Sequence, residues 1–118
     1  MARFANNQDT TGWLHLEITT WEGATDRNQA KAAGIAEGYL TRAFILEKYK
    51  EFYTNDFCAK DPAECAWIFK RFDESSEWAK SQAEEKGDVS PQWHQIDLLY
   101  RQMEGIYDGK RQTLVAVH

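Results

Sequence analysis

Between Gly12 and Trp21 apolar and polar residues alternate, which predicts a strand with Leu14, Leu16 and Ile18 on one face and Trp13, His15, Glu17 and Thr19 on the other. A lone two-faced strand does not stand by itself, and few other segments share this pattern, so its sheet neighbours are expected elsewhere, with none upstream. After Glu22-Gly23-Ala24 the periodicity changes. Asp26 as cap with Gln29 three positions on predicts a helix that runs without proline to about Tyr53. Its first half holds the small residues Ala30, Ala33, Gly34 and Gly38, whereas Tyr39, Leu40, Phe44, Leu46, Tyr49, Phe52 and Tyr53 load the second. Each glycine costs up to about 1 kcal/mol relative to alanine inside a helix, so close approach of another backbone is the expected offset.

Asp61 as cap, Pro62 at the first helical position and Glu64 three residues after the cap predict a second helix ending at Gly87. Cys65, Ile68, Phe69, Phe72 and Ala79 recur on it at helical spacing, with charged residues between them. Ser90-Pro91 opens a third helix, whose stripe of Trp93, Ile96, Leu99, Tyr100, Met103, Ile106 and Tyr107 continues to Gly109. Thr113 to Val117 reads as a second strand or as a lead into further chain. The pattern is α+β and mostly helical: three helices with one or two strands.

Composition adds bounds. In 118 residues, 42% hydrophobic and 14% aromatic content is enough to bury a core, so residues 1–118 are expected to form a single unit. Five Trp, five Tyr and six Phe suit a core or an extensive interface. A formal net charge of −5, with bases interspersed among acids, argues against a nucleic-acid partner. The longest helical pattern is interrupted by Glu37, Arg42, Glu47 and Lys48, so no transmembrane segment is expected, and the same polarity sets aside a membrane reading of the Gly34/Gly38 spacing. Met1-Ala2-Arg3-Phe4 does not begin a charged-then-apolar leader, and both ends read as internal to a longer polypeptide.

Candidate chemistry is sparse. Cys58 and Cys65 bracket a turn and a helix start that could bring their thiols together in a disulfide. A reduced pair with one thiol buried on the helix is the alternative, and zinc fits poorly because the spacing matches no paired-cysteine knuckle. His15, His94 and His118 are scattered, so spacing reveals no Cys-His or Ser-His-acid set. Glu37 lies between two glycines on a face expected to be packed, where burial would perturb it, although an acid at the solvent edge is the plainer reading. Trp93-His94 reads as an aromatic anchor at a helix start, or as pocket lining.

Thr11-Gly12-Trp13 with Leu16-Glu17-Ile18, the block from Ala33-Gly34-Ile35-Ala36-Glu37-Gly38 to Thr41, Trp93-His94, and Gln102 to Gly109 together resemble the phospholipase B-like (lamina ancestor) family. The resemblance spans nearly the whole chain. It implies an αββα sandwich of the N-terminal-nucleophile hydrolase type, made as a precursor and cleaved autocatalytically to expose a cysteine. This chain would be the N-terminal portion, ahead of that cysteine. The family's nucleophile sits in a Cys-Ser-Ala-Leu context, which neither Cys58-Ala59 nor Cys65-Ala66 matches, so the resemblance gives both cysteines to a structural disulfide and assigns this chain no catalytic residue, cofactor or metal. It further implies a downstream nucleophile-bearing chain as partner, a lipid substrate and a lysosomal or secreted location, with homo-oligomers left open. The competing expectation is a small helical interaction module without catalytic activity, its strand serving as an edge for sheet augmentation.

Overall fold

The strand predicted at Trp13 has its partner immediately upstream, contrary to expectation. In the computed structural model, which describes residues 1–112, β1 (Ala2–Asn7) pairs antiparallel with β2 (Trp13–Ile18), Ala2 opposite Ile18 and Phe4 opposite Leu16. The sequence of β1, Ala-Arg-Phe-Ala-Asn-Asn, has one strongly β-favouring residue, so pairing rather than propensity forms it. The Arg3 guanidinium donates to the Glu17 carboxylate at 2.6 Å directly across the ladder. One helical turn, α1 (Gln8–Thr11), reverses the chain, with the Asn7 carbonyl accepting from the Gly12 N–H and from the Thr10 and Thr11 hydroxyls. Gly12 closes the turn at φ 81°, in the left-handed region that favours glycine. The strand read at 113–117 lies outside the described residues.

The long helix α2 (Asp26–Lys50) begins one residue away from the expected cap. Thr25, not Asp26, caps it: the Thr25 hydroxyl accepts from the Asn28 N–H at 3.3 Å. The Gln29 side chain reaches back instead, accepting from Thr20 at 2.7 Å and donating to the Ala24 carbonyl at 2.8 Å, which fixes the β2–α2 loop.

The described chain falls into two compact units, one formed by Met1–Arg42 with the chain from Leu98 onward, the other by Ala43–Asp97. In the first, α2 meets α5 (Pro91–Arg111) along a face built from glycine on both sides. Gly34 lies under the Gln102 carbonyl and Gly38 under the Ile106 carbonyl, while Gly105 lies under the Lys31 carbonyl and Gly109 under the Ile35 carbonyl. At each position a Cβ would collide with that oxygen, and a Cβ on Gly34 would stand 3.0 Å from Gly105 Cα. Backbone-to-backbone approach this close supplies Cα–H···O contacts and dense packing in place of large side chains. The register rises together on both helices, so at this contact they run parallel. Parallel helices cannot be joined by a tight turn, and the chain between Arg42 and Leu98 is the connection. Alignment of the two helix dipoles side by side is unfavourable, and Lys31, 3.6 Å from Glu104 and 3.4 Å from Asp108, pairs opposite charges across the contact.

In the second unit α2 gives way after Lys50 to a π turn, Glu51–Asn55, rather than continuing as an α-helix to Tyr53. A short α3 (Phe57–Lys60) follows, then α4 (Pro62–Lys86), which starts and stops as predicted: the Asp61 carboxylate accepts from the Glu64 N–H at 3.0 Å, and the Gly87 N–H donates to the Ala83 carbonyl at 2.8 Å. Aromatic rings fasten the π turn to α4. Phe69 stacks on Tyr53 with centroids 5.2 Å apart and meets Phe52 edge-on at 6.1 Å, and Phe52 packs on Phe57 at 5.7 Å.

The third predicted helix extends past Gly109 to Arg111, and it meets α2 along a glycine-lined face that takes in only part of the apolar stripe. Gly105, Ile106 and Gly109 make that contact, leaving Leu99, Met103 and Tyr107 more than half exposed. If Gly109 were only a helix terminator, alanine there would be neutral or stabilising. The packed geometry instead predicts that Gly109→Ala lowers unfolding stability by about 1–3 kcal/mol, as overpacking does, measured by urea denaturation of the chain.

Candidate functional site

The two cysteines are joined. Cys58 on α3 and Cys65 on α4 form a disulfide with Cα atoms 5.1 Å apart, seven residues apart in sequence, and both are buried. The local sequence explains the geometry: α3 is one turn long, Asp61 ends it and caps α4, and Pro62 fixes the first helical position, so the chain reverses within a few residues. Neither thiol is available as a nucleophile or a metal ligand, and the described residues contain no other cysteine and no cluster of His, Cys, Asp or Glu suited to a metal ion.

Glu37 is tied to α5 rather than fully solvated. Its carboxylate accepts from the Gln102 amide at 3.0 Å, partly buried beside the glycine contact, and so acts as a polar tie between α2 and α5. His15 lies on the exposed face of the hairpin that carries Arg3 and Glu17. His94 sits half-buried in the first turn of α5, lining an open recess of about 400 Å³ with Gly87, Asp88, Val89, Ser90 and Pro91. His118 is outside the described residues. Trp93 is a half-buried anchor, edge-on to Trp78 at 5.9 Å with the Lys86 ammonium 5.8 Å from its ring centroid, while Ser90 caps the helix by accepting from the Trp93 N–H.

A second recess, about 270 Å³, opens between the hairpin base and α2, lined among others by Ala2, Ile18, Thr20, Trp21, Gln29 and Ala33. Its walls mix apolar residues with Thr19, Thr20, Asn28 and Gln29, and the Thr20 hydroxyl donates to the Gln29 side chain. Burial pushes the Tyr53 phenol above its ordinary 10.0, with Tyr49 and Asp73 adding to the rise in that order. This keeps Tyr53 neutral in the aromatic cluster.

Large side chains are prominent on the surface. Trp13, Trp21, Trp67 and Trp78 are each more than half exposed, and no large side chain among the described residues is fully buried. The sequence reading missed the partner of the Gly34/Gly38 face, although its signal was present: Gly105 and Gly109 repeat the same four-residue spacing.

A family profile described as Phospholipase B matches residues 1–117. The chain is 32% identical over 109 residues to phospholipase B-like 3 of Caenorhabditis elegans, covering 92% of this chain and 19% of that protein. It is 33% identical over 106 residues to phospholipase B-like protein B of Dictyostelium discoideum, covering 90% and 18% respectively. To phospholipase B-like 2 of Homo sapiens it is 32% identical over 111 residues, covering 92% and 18%. The chain therefore spans about a fifth of the length of these relatives.

The Cys58–Cys65 crosslink closes a short loop, which in the chain-entropy account stabilises by about 2–3 kcal/mol. Cys58→Ser/Cys65→Ser is expected to lose that much in denaturant unfolding, and the parent chain should lose the same amount on addition of reductant while the double variant does not respond.

Proposed function

Because the chain belongs to the phospholipase B family, we propose that it is the N-terminal portion of a hydrolase whose cysteine nucleophile lies on a downstream chain of the same precursor. One observation carries this assignment of roles. Both cysteines of this chain are consumed by the Cys58–Cys65 disulfide, so a cysteine mechanism needs a thiol from elsewhere.

In this reading autocatalytic cleavage of the precursor exposes an N-terminal cysteine. Its sulfur attacks an acyl carbonyl while its own α-amino group takes the thiol proton; the tetrahedral intermediate collapses, breaking the ester or amide bond, and the α-ammonium returns the proton to the departing alcohol or amine. Water then attacks the acyl-enzyme, releasing the acid and regenerating the thiol. Hydrogen-bond donors stabilise the tetrahedral oxyanion. The substrates are lipids bearing acyl ester or amide bonds, as the family name suggests for esters. This chain contributes structure: the α2/α5 pair and the hairpin form part of an αββα sandwich, and the chain alone is inactive. A buried disulfide persists where the surroundings are oxidising, which supports a lysosomal or secreted location.

A non-catalytic interaction module is the second reading, favoured by the four exposed tryptophans. Intact-mass analysis and N-terminal sequencing of the protein purified from its native source separate the two. The hydrolase reading predicts a polypeptide containing this sequence together with a larger chain whose first residue is cysteine. A lone species of 13.7 kDa contradicts it.

A further inference from the structure

The hairpin has two open edges, and they differ. Met1 and Thr19 exchange both backbone hydrogen bonds, at 2.7 and 2.8 Å, which fixes the phase of the ladder. Bonded and non-bonded pairs alternate in an antiparallel ladder. Arg3 opposite Glu17 and Ala5 opposite His15 are therefore bonded pairs, while Phe4 opposite Leu16 and Asn6 opposite Leu14 turn their N–H and C=O groups outward.

On the β2 edge the outward-facing residues are Leu14, Leu16 and Ile18, all apolar, with Leu14 40% and Leu16 36% exposed, whereas on the β1 edge they are Ala2, Phe4 and Asn6. The β1 edge ends instead in Asn6, whose side chain turns back to accept from the Gln8 N–H at 3.1 Å and belongs to the reversal. A strand added beside β2 gains backbone hydrogen bonds together with an apolar column to cover. A strand added beside β1 would meet Ala2 and Asn6 at the ends of its column. Two strands alone are marginal and are stabilised by a third strand or by a helix packed on them.

We propose that β2, through Leu14 and Leu16, is the edge that receives the next strand, contributed by the same polypeptide from outside the portion matched here. The occupant follows from length, since the relatives are about five times as long as the matched segment. The incoming strand alternates apolar and polar residues, its apolar side chains lying against Leu14 and Leu16. The inference rests on the reading of this chain as part of a longer protein and adds which edge is extended.

Amide hydrogen exchange at residue resolution tests it, comparing the complete gene product with the isolated chain. Leu14 and Leu16 amides should exchange slower by on the order of tenfold or more in the complete product, with Phe4 and Asn6 little changed. Protection at Phe4 and Asn6 instead, at both edges, or at neither overturns the assignment. Concentration-dependent protection of Leu14 and Leu16 in the isolated chain identifies a second copy as occupant and also overturns it. Because the exchange pattern does not depend on the identity of the nucleophile, these outcomes are separable from failure of the hydrolase reading, which N-terminal sequencing reports.

Discussion

Two helices touching through their backbones set the terms for the unit that contains the hairpin. Four glycines, Gly34 and Gly38 on α2 with Gly105 and Gly109 on α5, each sit under a carbonyl of the facing helix. The arrangement is reciprocal, so neither helix can shift without losing contacts on both. Because the glycines occupy the contact, no large side chain has to be buried there, and the polar groups beside it gain a role. Glu37 with Gln102, and Lys31 with Glu104 and Asp108, add direction to a contact that dispersion alone would leave free to slide.

The other unit solves a similar problem by different means. Its chain passes from α2 through the π turn and one-turn α3 into α4 within a few residues, with little apolar interior to hold these changes of path. Stacked rings from Tyr49 to Phe69 and the Cys58–Cys65 crosslink do so instead. Both units leave apolar surface open, at Leu14 and Leu16 on the hairpin, at Leu99, Met103 and Tyr107 on α5, and at Phe72 and Trp78 on α4. Apolar exposure on this scale marks surface available for contact, in a chain that spans about a fifth of the length of the relatives compared.

Much of this was legible in the sequence because it rests on local chemistry. Asp61-Pro62 and Gly87 bracket α4 in the sequence as they do in the fold, and the alternation from Trp13 marks β2. The close-packing role of Gly34 and Gly38 followed from their helix cost. What escaped was non-local. β1 has weak propensity and exists because it pairs, and the packed face of α5 is glycine, which hydrophobic periodicity does not register. Hence the apolar stripe is visible in the sequence, but not that Leu99, Met103 and Tyr107 of it face out. Glu37, read as solvent-edge or perturbed, proved to be a tie whose partner Gln102 lies 65 residues away. Of the candidate site, the cysteine pair was legible as a possible disulfide. Spacing brought Cys58 and Cys65 together and put no base beside either, and the fold adds that their sulfurs are spent on each other.

If α2 and α5 mesh through paired glycines, Gly34→Ala and Gly105→Ala in the full chain are coupled, as a double-mutant cycle reads out. These Cα positions are direct neighbours, so once one methyl has separated the helices the second should add little. The account predicts that the double variant is less destabilised than the sum of the single variants by about 1 kcal/mol in denaturant unfolding. Single losses that add to within about 0.3–0.5 kcal/mol, or alanine variants as stable as the parent, would contradict it.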